Sequence, residues 1–181
     1  MYICKDKNKI MPEEWERVKG GLRKGLKEDY FRTGREWCYK NIERRILCEQ
    51  FMEDKSQYGN LNDYKIFCFD GKVKMLFVAT DRFDDKGEET NVKFDFFDRD
   101  FNHLDFTNGH PNATKLIEKP VCWAKMIELA EKLSENIPHV RVDLYVINGC
   151  IYFGEMTFYH WSGLVPYKPE EWDYKMGSWL H

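Results

Sequence analysis

The chain has 181 residues, of which 43% are hydrophobic and 33% are charged, the composition of an ordinary folded domain. Its 28 Lys and Arg against 31 Asp and Glu give a net charge of −3, and this balance argues against nucleic acid as a partner, because phosphate binding needs many clustered cations. No apolar run approaches the roughly 20 residues that cross a bilayer. We therefore expect a cytoplasmic protein with no membrane span, folded as one domain over residues 1–181.

The pattern of apolar residues first predicts an amphipathic helix over residues 12–29, since Pro12 suits a first helical turn. Residues 45–52 are typical of a strand. Two antiparallel hairpins, a further strand and a second helix follow, the first hairpin turning at Asp70-Gly71. Their expected bounds are 63–69 and 72–79, 92–97 for the strand, 120–135 for the helix, and 140–146 and 150–158 for the second hairpin.

Six cysteines are spread along the chain without a CxxC pair, which favours free thiols over a disulfide framework or a zinc site. Most of them have apolar neighbours, so we expect them to be buried. They are Cys4, Cys38, Cys48, Cys68, Cys122 and Cys150. Aromatic residues make up 16% of the chain, and core packing explains them more simply than a stacked ligand.

The length of the second turn decides which residues of that hairpin share a face, because side chains alternate along a strand. A two-residue turn, Asn148-Gly149, would put Asp143 and Glu155 on opposite faces. We predict a three-residue turn over 147–149 with Gly149 left-handed, since it gives two coherent faces. The polar face then carries Arg141, Asp143, Phe153, Glu155 and Thr157, and the apolar face carries Val142, Leu144, Val146, Cys150, Tyr152 and Met156.

The carboxylates of Asp143 and Glu155 need a neutralising charge on this polar face, because two carboxylates about 4 Å apart repel by roughly 4 kcal/mol at an effective dielectric constant of 20. A structural ion pair with Arg141 is one solution. Magnesium is the other, since it typically takes one or two carboxylates together with water and phosphate oxygens. In that case Arg141 would face the transferring phosphate and stabilise its charge. The residues alone leave both solutions open.

The two segments of this hairpin, Arg141-Val-Asp143 and Phe153-Gly-Glu155-Met-Thr157, resemble the metal-binding hairpin of ATP-grasp enzymes. Together with residues 34–42, 45–52 and 63–71 they resemble the TupA-like ATP-grasp family of polysaccharide and teichuronopeptide biosynthesis, whose members are often labelled glycosyltransferases. The resemblance covers nearly the whole chain. It implies an α+β fold with a mainly antiparallel sheet and helices on one face, corresponding to the C-terminal part of an ATP-grasp fold without its front lobe.

The resemblance also implies a reaction and its cofactors, ATP and Mg²⁺. ATP phosphorylates a carboxylate, and a nucleophile then displaces phosphate from the acyl phosphate. Asp143, Glu155 and Thr157 would hold the metal, although many ATP-grasp enzymes have Asn where this chain has Thr157. The residues implied for the nucleotide are Glu49, Gln50, Phe51 and Met52 beside adenine, Asp63 on ribose and Lys65 near phosphate. Surface carboxylates at strand ends are the alternative for Glu49 and Asp63.

Residues 1–7 resemble the strand that follows the glycine-rich phosphate loop in ATP-grasp enzymes, and that loop is not recognisable in the sequence. The resemblance therefore implies weak or no activity for this chain alone, unless a partner chain or an N-terminal lobe completes the site. The expected ligands are a nucleotide and a saccharide or carboxylate acceptor. The alternatives are a non-catalytic nucleotide- or sugar-binding subunit, and a metal-dependent glycosyltransferase using Asp98-Arg-Asp100. Further basic candidates are Lys74 and Arg82, and loop candidates for a general base are His110 and His160.

Overall fold

The computed structural model describes residues 2–52, 61–82 and 91–180. The chain separates into two compact units, residues 1–52 and residues 53–181, which are described in turn. The expectation of a single domain over residues 1–181 remains a prediction.

Over its described residues, 2–52, the first unit contains two α-helices and two 3-10 helices. Helix α1 begins at Pro12, which has no N–H to leave unpaired, and the acidic Glu13 and Glu14 lie at its positive end. It ends at Gly25, four residues before the predicted end. The helices are α1 (Pro12–Gly25) and α2 (Phe31–Gly34), with 3-10 helices at Lys7–Lys9 and Trp37–Tyr39.

The strand predicted over residues 45–52 is not formed. Residues 42–52 contain neither helix nor strand, and the side chain of Leu47 is 82% exposed. The apolar and β-branched residues of this segment favour an extended chain, but a strand exists only where a neighbouring strand takes its hydrogen bonds. Among the described residues, none supplies that edge to 45–52.

The second unit is built on a six-stranded antiparallel sheet, which confirms the predicted α+β class. The strands are β1 (Asp63–Phe69), β2 (Lys72–Thr80), β3 (Lys93–Asp98), β4 (His103–Leu104), β5 (Thr107–Asn108), β6 (His139–Ile147), β7 (Cys150–Thr157) and β8 (Tyr167–Lys168). The strand order in the large sheet is β4-β3-β2-β1-β6-β7, and β5 and β8 form a separate two-stranded sheet. The helices are α3 (Trp123–Leu133) and α4 (Glu171–Gly177), with a 3-10 helix at His160–Gly163.

The hairpin of β1 and β2 has the predicted turn. Asp70 and Gly71 both have left-handed φ angles, 48° and 70°, and a pair of left-handed residues matches the twist of the two strands. Close to the turn, Phe67 pairs with Met75 and Cys68 with Val73, so Lys74 is an extra residue on β2.

Helix α3 covers one face of the sheet. Its buried residues Trp123, Met126 and Ala130 lie on the stripe that the sequence predicts, and they pack against a core that includes Ile66 and Val142. The helix begins at Trp123 and not at Pro120, because residues 121–122 form a turn closed by the Trp123 N–H on the Pro120 carbonyl. The opposite face is covered by loops and by the C-terminal segment with α4.

All six cysteines are free thiols, as predicted, but only Cys68 is buried. Burial raises the pKa of the Cys68 thiol to about 11, which keeps it protonated near neutral pH. Cys38, Cys48 and Cys150 are exposed, because apolar sequence neighbours do not fix the direction of a side chain. Within the described residues, no helix combines the length and apolar character needed to cross a membrane.

Candidate functional site

The turn between β6 and β7 has two residues, so the predicted three-residue turn is wrong. Ile147 pairs directly with Cys150, and Asn148 and Gly149 both have left-handed φ angles, 50° and 78°. Asn and Gly tolerate this conformation best, so the dipeptide forms the same type of turn as Asp70-Gly71.

A β-bulge further along this hairpin reverses the consequence of the shorter turn. Leu144 pairs with Phe153 and Val142 with Met156, so one residue of β6, Asp143, lies opposite two residues of β7. The extra residue shifts the alternation of β7 by one position. Glu155 therefore returns to the face that carries Arg141, Asp143 and Thr157. The polar face predicted from the sequence is formed, but by a bulge instead of a longer turn.

The bulge changes the two faces on its turn side. Phe153 pairs with Leu144 and shares the face of α3, whereas Tyr152 pairs with Tyr145 on the polar face. Cys150 pairs with Ile147, also away from the α3 face. The predicted placements of Phe153, Tyr152 and Cys150 are therefore wrong, because a two-residue turn sets the alternation up to the bulge.

Gly154 lies in the bulge and has no room for a side chain. A Cβ atom there would lie 2.9 Å from Cε2 of Tyr145 and 3.1 Å from the backbone oxygen of Asp143. The close approach of the two strands at this point requires glycine.

Six side chains form what we call the charged cluster, on the polar face where β1, β6 and β7 lie side by side. Its members are Asp63, Lys65, Arg82, Arg141, Asp143 and Glu155. Arg141 binds both oxygens of Asp143, with Nε 2.7 Å from Oδ1 and Nη2 2.8 Å from Oδ2. The same Nη2 donates to Oε1 of Glu155 at 3.1 Å and to Oγ1 of Thr157 at 2.9 Å. Arg141 thus joins the two carboxylates expected to bind a metal.

Lys65 connects this hairpin to β1. It lies opposite Asp143 in the β1–β6 register, and its ammonium forms ion pairs with Asp143 and, at 2.9 Å, with Oδ2 of Asp63. Arg82 binds the same Oδ2 at 2.7 Å, and the Tyr145 hydroxyl donates to it at 3.3 Å. Asp63 is fully buried, and its Oδ1 has no hydrogen-bond partner in the part of the chain that the structure describes.

The charges of the cluster balance, since three carboxylates face three cations. Burial alone would lower the pKa of Arg141, but its hydrogen bonds to Asp143 and the nearby negative charges raise it instead. For Arg82, burial again opposes the charged form, and the charge of Asp63 raises the pKa above the ordinary value. Both guanidinium groups therefore stay charged at every pH of interest, which compensates the buried carboxylates.

Besides Asp143, Glu155 and Thr157, Arg141 contacts His160, in the 3-10 helix after β7. Nη1 of Arg141 lies 2.7 Å from Nδ1 of His160, and Nε2 of His160 lies 3.0 Å from Oδ1 of Asn108. Burial and then the charge of Arg141 lower the pKa of His160 to about 3, so its ring is neutral near pH 7.

The structure brings together Asp63, Lys65, Arg141, Asp143 and Glu155 from the predicted site, with Thr157 beside Glu155. The residues predicted to contact adenine, Glu49, Gln50, Phe51 and Met52, belong to the first unit, where the first three are exposed and Met52 is partly buried. Sequence reasoning missed Tyr145, Asn108 and the hydrogen bond of His160 to Arg141. Register between β1 and β6 would have identified Tyr145, because it lies opposite Asp63.

Of the other polar candidates, Arg82 belongs to the cluster through Asp63, whereas Lys74, His110 and Asp98 lie outside it. Lys74 is the exposed extra residue of the β1–β2 hairpin, and His110 packs against Phe94 and Trp161. The carboxylate of Asp98 accepts hydrogen bonds from the backbone of residues 100 and 102 and from the Asn102 amide. It closes a turn, which accounts for the Asp98-Arg-Asp100 motif without a ligand.

Comparison with known families identifies the class of protein that this antiparallel sheet and charged hairpin belong to. The model of the family TupA-like ATPgrasp matches residues 1–181, the whole chain. The chain belongs to this family and is therefore an ATP-grasp-type protein. Neither a curated protein nor a solved structure gives a match.

Proposed function

We propose that this protein uses ATP and Mg²⁺ to activate a carboxylate for ligation, and that Asp143 and Glu155 hold the metal. ATP-grasp families generally use ATP and Mg²⁺. The observation that carries the proposal is the bulge at Gly154, which puts Asp143, Glu155 and Thr157 on one face beside Arg141 and Lys65. A regular hairpin with this turn would separate the two carboxylates.

The side chains present fit Mg²⁺ in their chemistry, since Asp143, Glu155 and Thr157 offer hard oxygen atoms. The side chain of Glu155 is 63% exposed and can be reached from solvent, whereas that of Asp143 is 2% exposed and paired with Arg141 and Lys65. Across residues 2–52, 61–82 and 91–180, no group of three or more His, Cys, Asp and Glu side chains is suited to a metal ion. Water and nucleotide phosphates would complete the coordination.

The charged cluster suggests what its own residues do when a nucleotide binds. The ammonium of Lys65 lies between two carboxylates at the end of a flexible side chain. It can therefore release Asp143 and bind a phosphate oxygen without leaving the site. Arg141 stays with Asp143 and Glu155, and its fixed charge stabilises negative charge that develops during phosphoryl transfer. Bound Mg²⁺ would supply further neutralisation of the phosphates and orient them.

In the proposed reaction, a carboxylate oxygen of one substrate attacks the terminal phosphorus of ATP, and ADP leaves. A nucleophile of the acceptor then attacks the acyl carbon, and inorganic phosphate leaves. We infer a role in cell-surface polysaccharide biosynthesis, with a saccharide or another carboxylate-bearing molecule as substrate, from the resemblance of the chain to the TupA-like family.

Isothermal titration calorimetry with ATP, ADP and a UDP-sugar, each with and without Mg²⁺, tests the proposal. We expect magnesium-dependent binding of ATP and ADP, weakened about tenfold or more by Glu155→Gln, because loss of a charged ligand removes more than about 1.4 kcal/mol. Glu128→Gln is the matched control, since the side chains of Glu128 and Glu155 are both 63% exposed and each forms one ion pair. Equal binding by both variants, or a preference for the UDP-sugar, would refute the metal assignment.

One observation favours a second function, that of a non-catalytic nucleotide- or sugar-binding subunit. The three carboxylates are already neutralised by Lys65, Arg82 and Arg141, so the charges of the cluster balance without a metal. Nucleotide binding that does not depend on Mg²⁺ would support this function over ligation.

A further inference from the structure

A chain of hydrogen bonds links Arg141 to the loop before β8 through two side chains that the proposed reaction does not use. Nη1 of Arg141 lies 2.7 Å from Nδ1 of His160, and Nε2 of His160 lies 3.0 Å from Oδ1 of Asn108. The Asn108 amide nitrogen donates to the backbone oxygens of Val165, at 2.8 Å, and Pro166, at 3.2 Å. Asn108 is 1% exposed, so each of these groups needs its partner inside the protein.

The direction of every bond in this chain follows from its ends. Two backbone oxygens can only accept, so the Asn108 nitrogen must face them and its oxygen must face His160. An amide oxygen also only accepts, so Nε2 of His160 carries the proton. Nδ1 is then an unprotonated acceptor, which is what the N–H of Arg141 requires. The two ends therefore fix one neutral tautomer of His160.

The surroundings of His160 support this neutral form. Its ring lies against Phe67 and Phe77, with ring centroids 5.3 Å away in each case, and Lys65, Arg141 and His139 are the ionisable groups that affect it. A second proton on the ring would set two N–H groups against each other at Nδ1 and Nη1. Burial and these charges accordingly lower the pKa of His160.

We propose that His160, oriented by Asn108, is the positioning residue of Arg141. The Nδ1 lone pair of His160 holds the guanidinium of Arg141 in the plane in which the guanidinium binds Asp143 and Glu155. Arg141 is 7% exposed, and its Nε and Nη2 groups are used by Asp143, Glu155 and Thr157. Without His160, a buried N–H of Nη1 would lose its acceptor, and the guanidinium would turn to find another. The effect on nucleotide binding rests on the proposed function, but the effect on Arg141 does not.

Nuclear magnetic resonance of the isotope-labelled full chain tests the geometry directly. We expect the proton of His160 on Nε2 alone between about pH 7 and about pH 5, where an ordinary imidazole titrates. We also expect slowly exchanging side-chain N–H signals of Arg141 that His160→Ala abolishes and His160→Gln retains, because a glutamine oxygen can accept the same bond. A proton on Nδ1, or unchanged Arg141 signals in His160→Ala, would overturn the proposal.

His139→Ala is the matched control for general destabilisation. His139 lies on β6, two residues before Arg141, and its Nδ1 forms a hydrogen bond with the backbone oxygen of Cys68, at 3.1 Å. Burial lowers its pKa as well. We expect His139→Ala to lower thermal stability while leaving the Arg141 signals in place. Loss of those signals in both variants would reduce His160 to a packing residue and overturn its assignment.

Calorimetry with Mg²⁺ and ADP then separates the two proposals. We expect His160→Ala to weaken ADP binding about tenfold and His160→Gln to recover most of it. If the unaltered protein binds ADP with Mg²⁺ and His160→Ala binds it equally well, the positioning role is wrong. If the unaltered protein does not bind ADP, the proposed function fails, and the Arg141 signals alone decide the role of His160.

Discussion

The two hairpins of the large sheet share a type of turn but differ in where each carries its extra residue. Asp70-Gly71 and Asn148-Gly149 both have two left-handed residues. The first hairpin has its extra residue, the exposed Lys74, close to the turn, whereas the second has its extra residue beside Asp143, in the middle of the polar face. The turn therefore sets the pairing only up to the bulge, and the position of the bulge decides which side chains meet beyond it.

The difference extends to the charges that each hairpin carries. Near the first turn, Glu131 of α3 pairs with Arg99 and with Lys72, whose side chains are 45% and 67% exposed. In the second hairpin, Asp143 pairs with Arg141, and the side chains of these two residues are 2% and 8% exposed. Solvent screens the first group of charges, but the second depends on its partners alone.

The largest expected effect comes from removing Asp143. Asp143→Ala leaves Arg141 and Lys65 charged, buried and short of a partner, so we expect a loss of about 3–5 kcal/mol in the free energy of unfolding. Glu131→Ala removes a carboxylate whose two cationic partners are exposed and which also accepts the Val73 N–H, at 3.2 Å, and should cost less, about 1–2 kcal/mol. Urea denaturation of both variants measures the difference, and equal losses would contradict the contrast between the hairpins.

A smaller effect is expected from filling the bulge of the second hairpin. Gly154→Ala places a methyl group against Tyr145 and the backbone of Asp143, which we expect to cost about 1–3 kcal/mol in unfolding free energy. Lys74→Ala alters the extra residue of the first hairpin, where the side chain is exposed, and should change stability by about 0.5 kcal/mol or less. Thermal melts of the two variants compare the bulges, and a harmless Gly154→Ala would show that the strands can separate there.

The last effect, which is small near neutral pH, is a pH dependence that comes from His160, in the 3-10 helix after the second hairpin. His160 has its pKa lowered to about 3 from the ordinary 6.5, so below 6.5 the unfolded chain binds a proton that the folded chain does not. The contribution of His160 to the free energy of unfolding is therefore fully present above pH 6.5. It falls by about 1.4 kcal/mol per pH unit as the pH drops toward 3. His160→Gln should remove that slope.

Denaturation at a series of pH values measures this slope in the unaltered protein and in His160→Gln. Hydrogen exchange at about pH 5 should show faster opening of β7 than of β2, because protonation acts on the hairpin that Arg141 joins to His160. An identical pH dependence in the two proteins would show that His160 does not set it.

Much of the fold follows from local signals in the sequence. The alternation of β1 and β2 and the Asp70-Gly71 turn define one hairpin, and the apolar stripe of α3 defines the face it buries. The extended segment 45–52 shows the limit of such signals, since a strand needs an edge to pair with and sequence propensity does not supply one.

Most residues of the charged cluster could be predicted from the sequence, but their geometry could not. Asp143 and Glu155 can share a face through a longer turn or through a bulge, and alternation alone does not separate these two possibilities. Gly154 is the residue that indicates the bulge, because a glycine inside a strand often marks one. The bond between His160 and Arg141 depends on tertiary packing between segments 19 residues apart, and no local pattern reports it.

The balance of charge in the cluster has a consequence for how a ligand arrives. Three acids and three bases within one small area cancel at a distance, so little electric field reaches beyond the roughly 8 Å Debye length of physiological salt. An anionic ligand would approach without long-range steering, and ionic strength would change its association rate little. Discrimination among anions then rests on the short-range fit of donors and acceptors once contact is made.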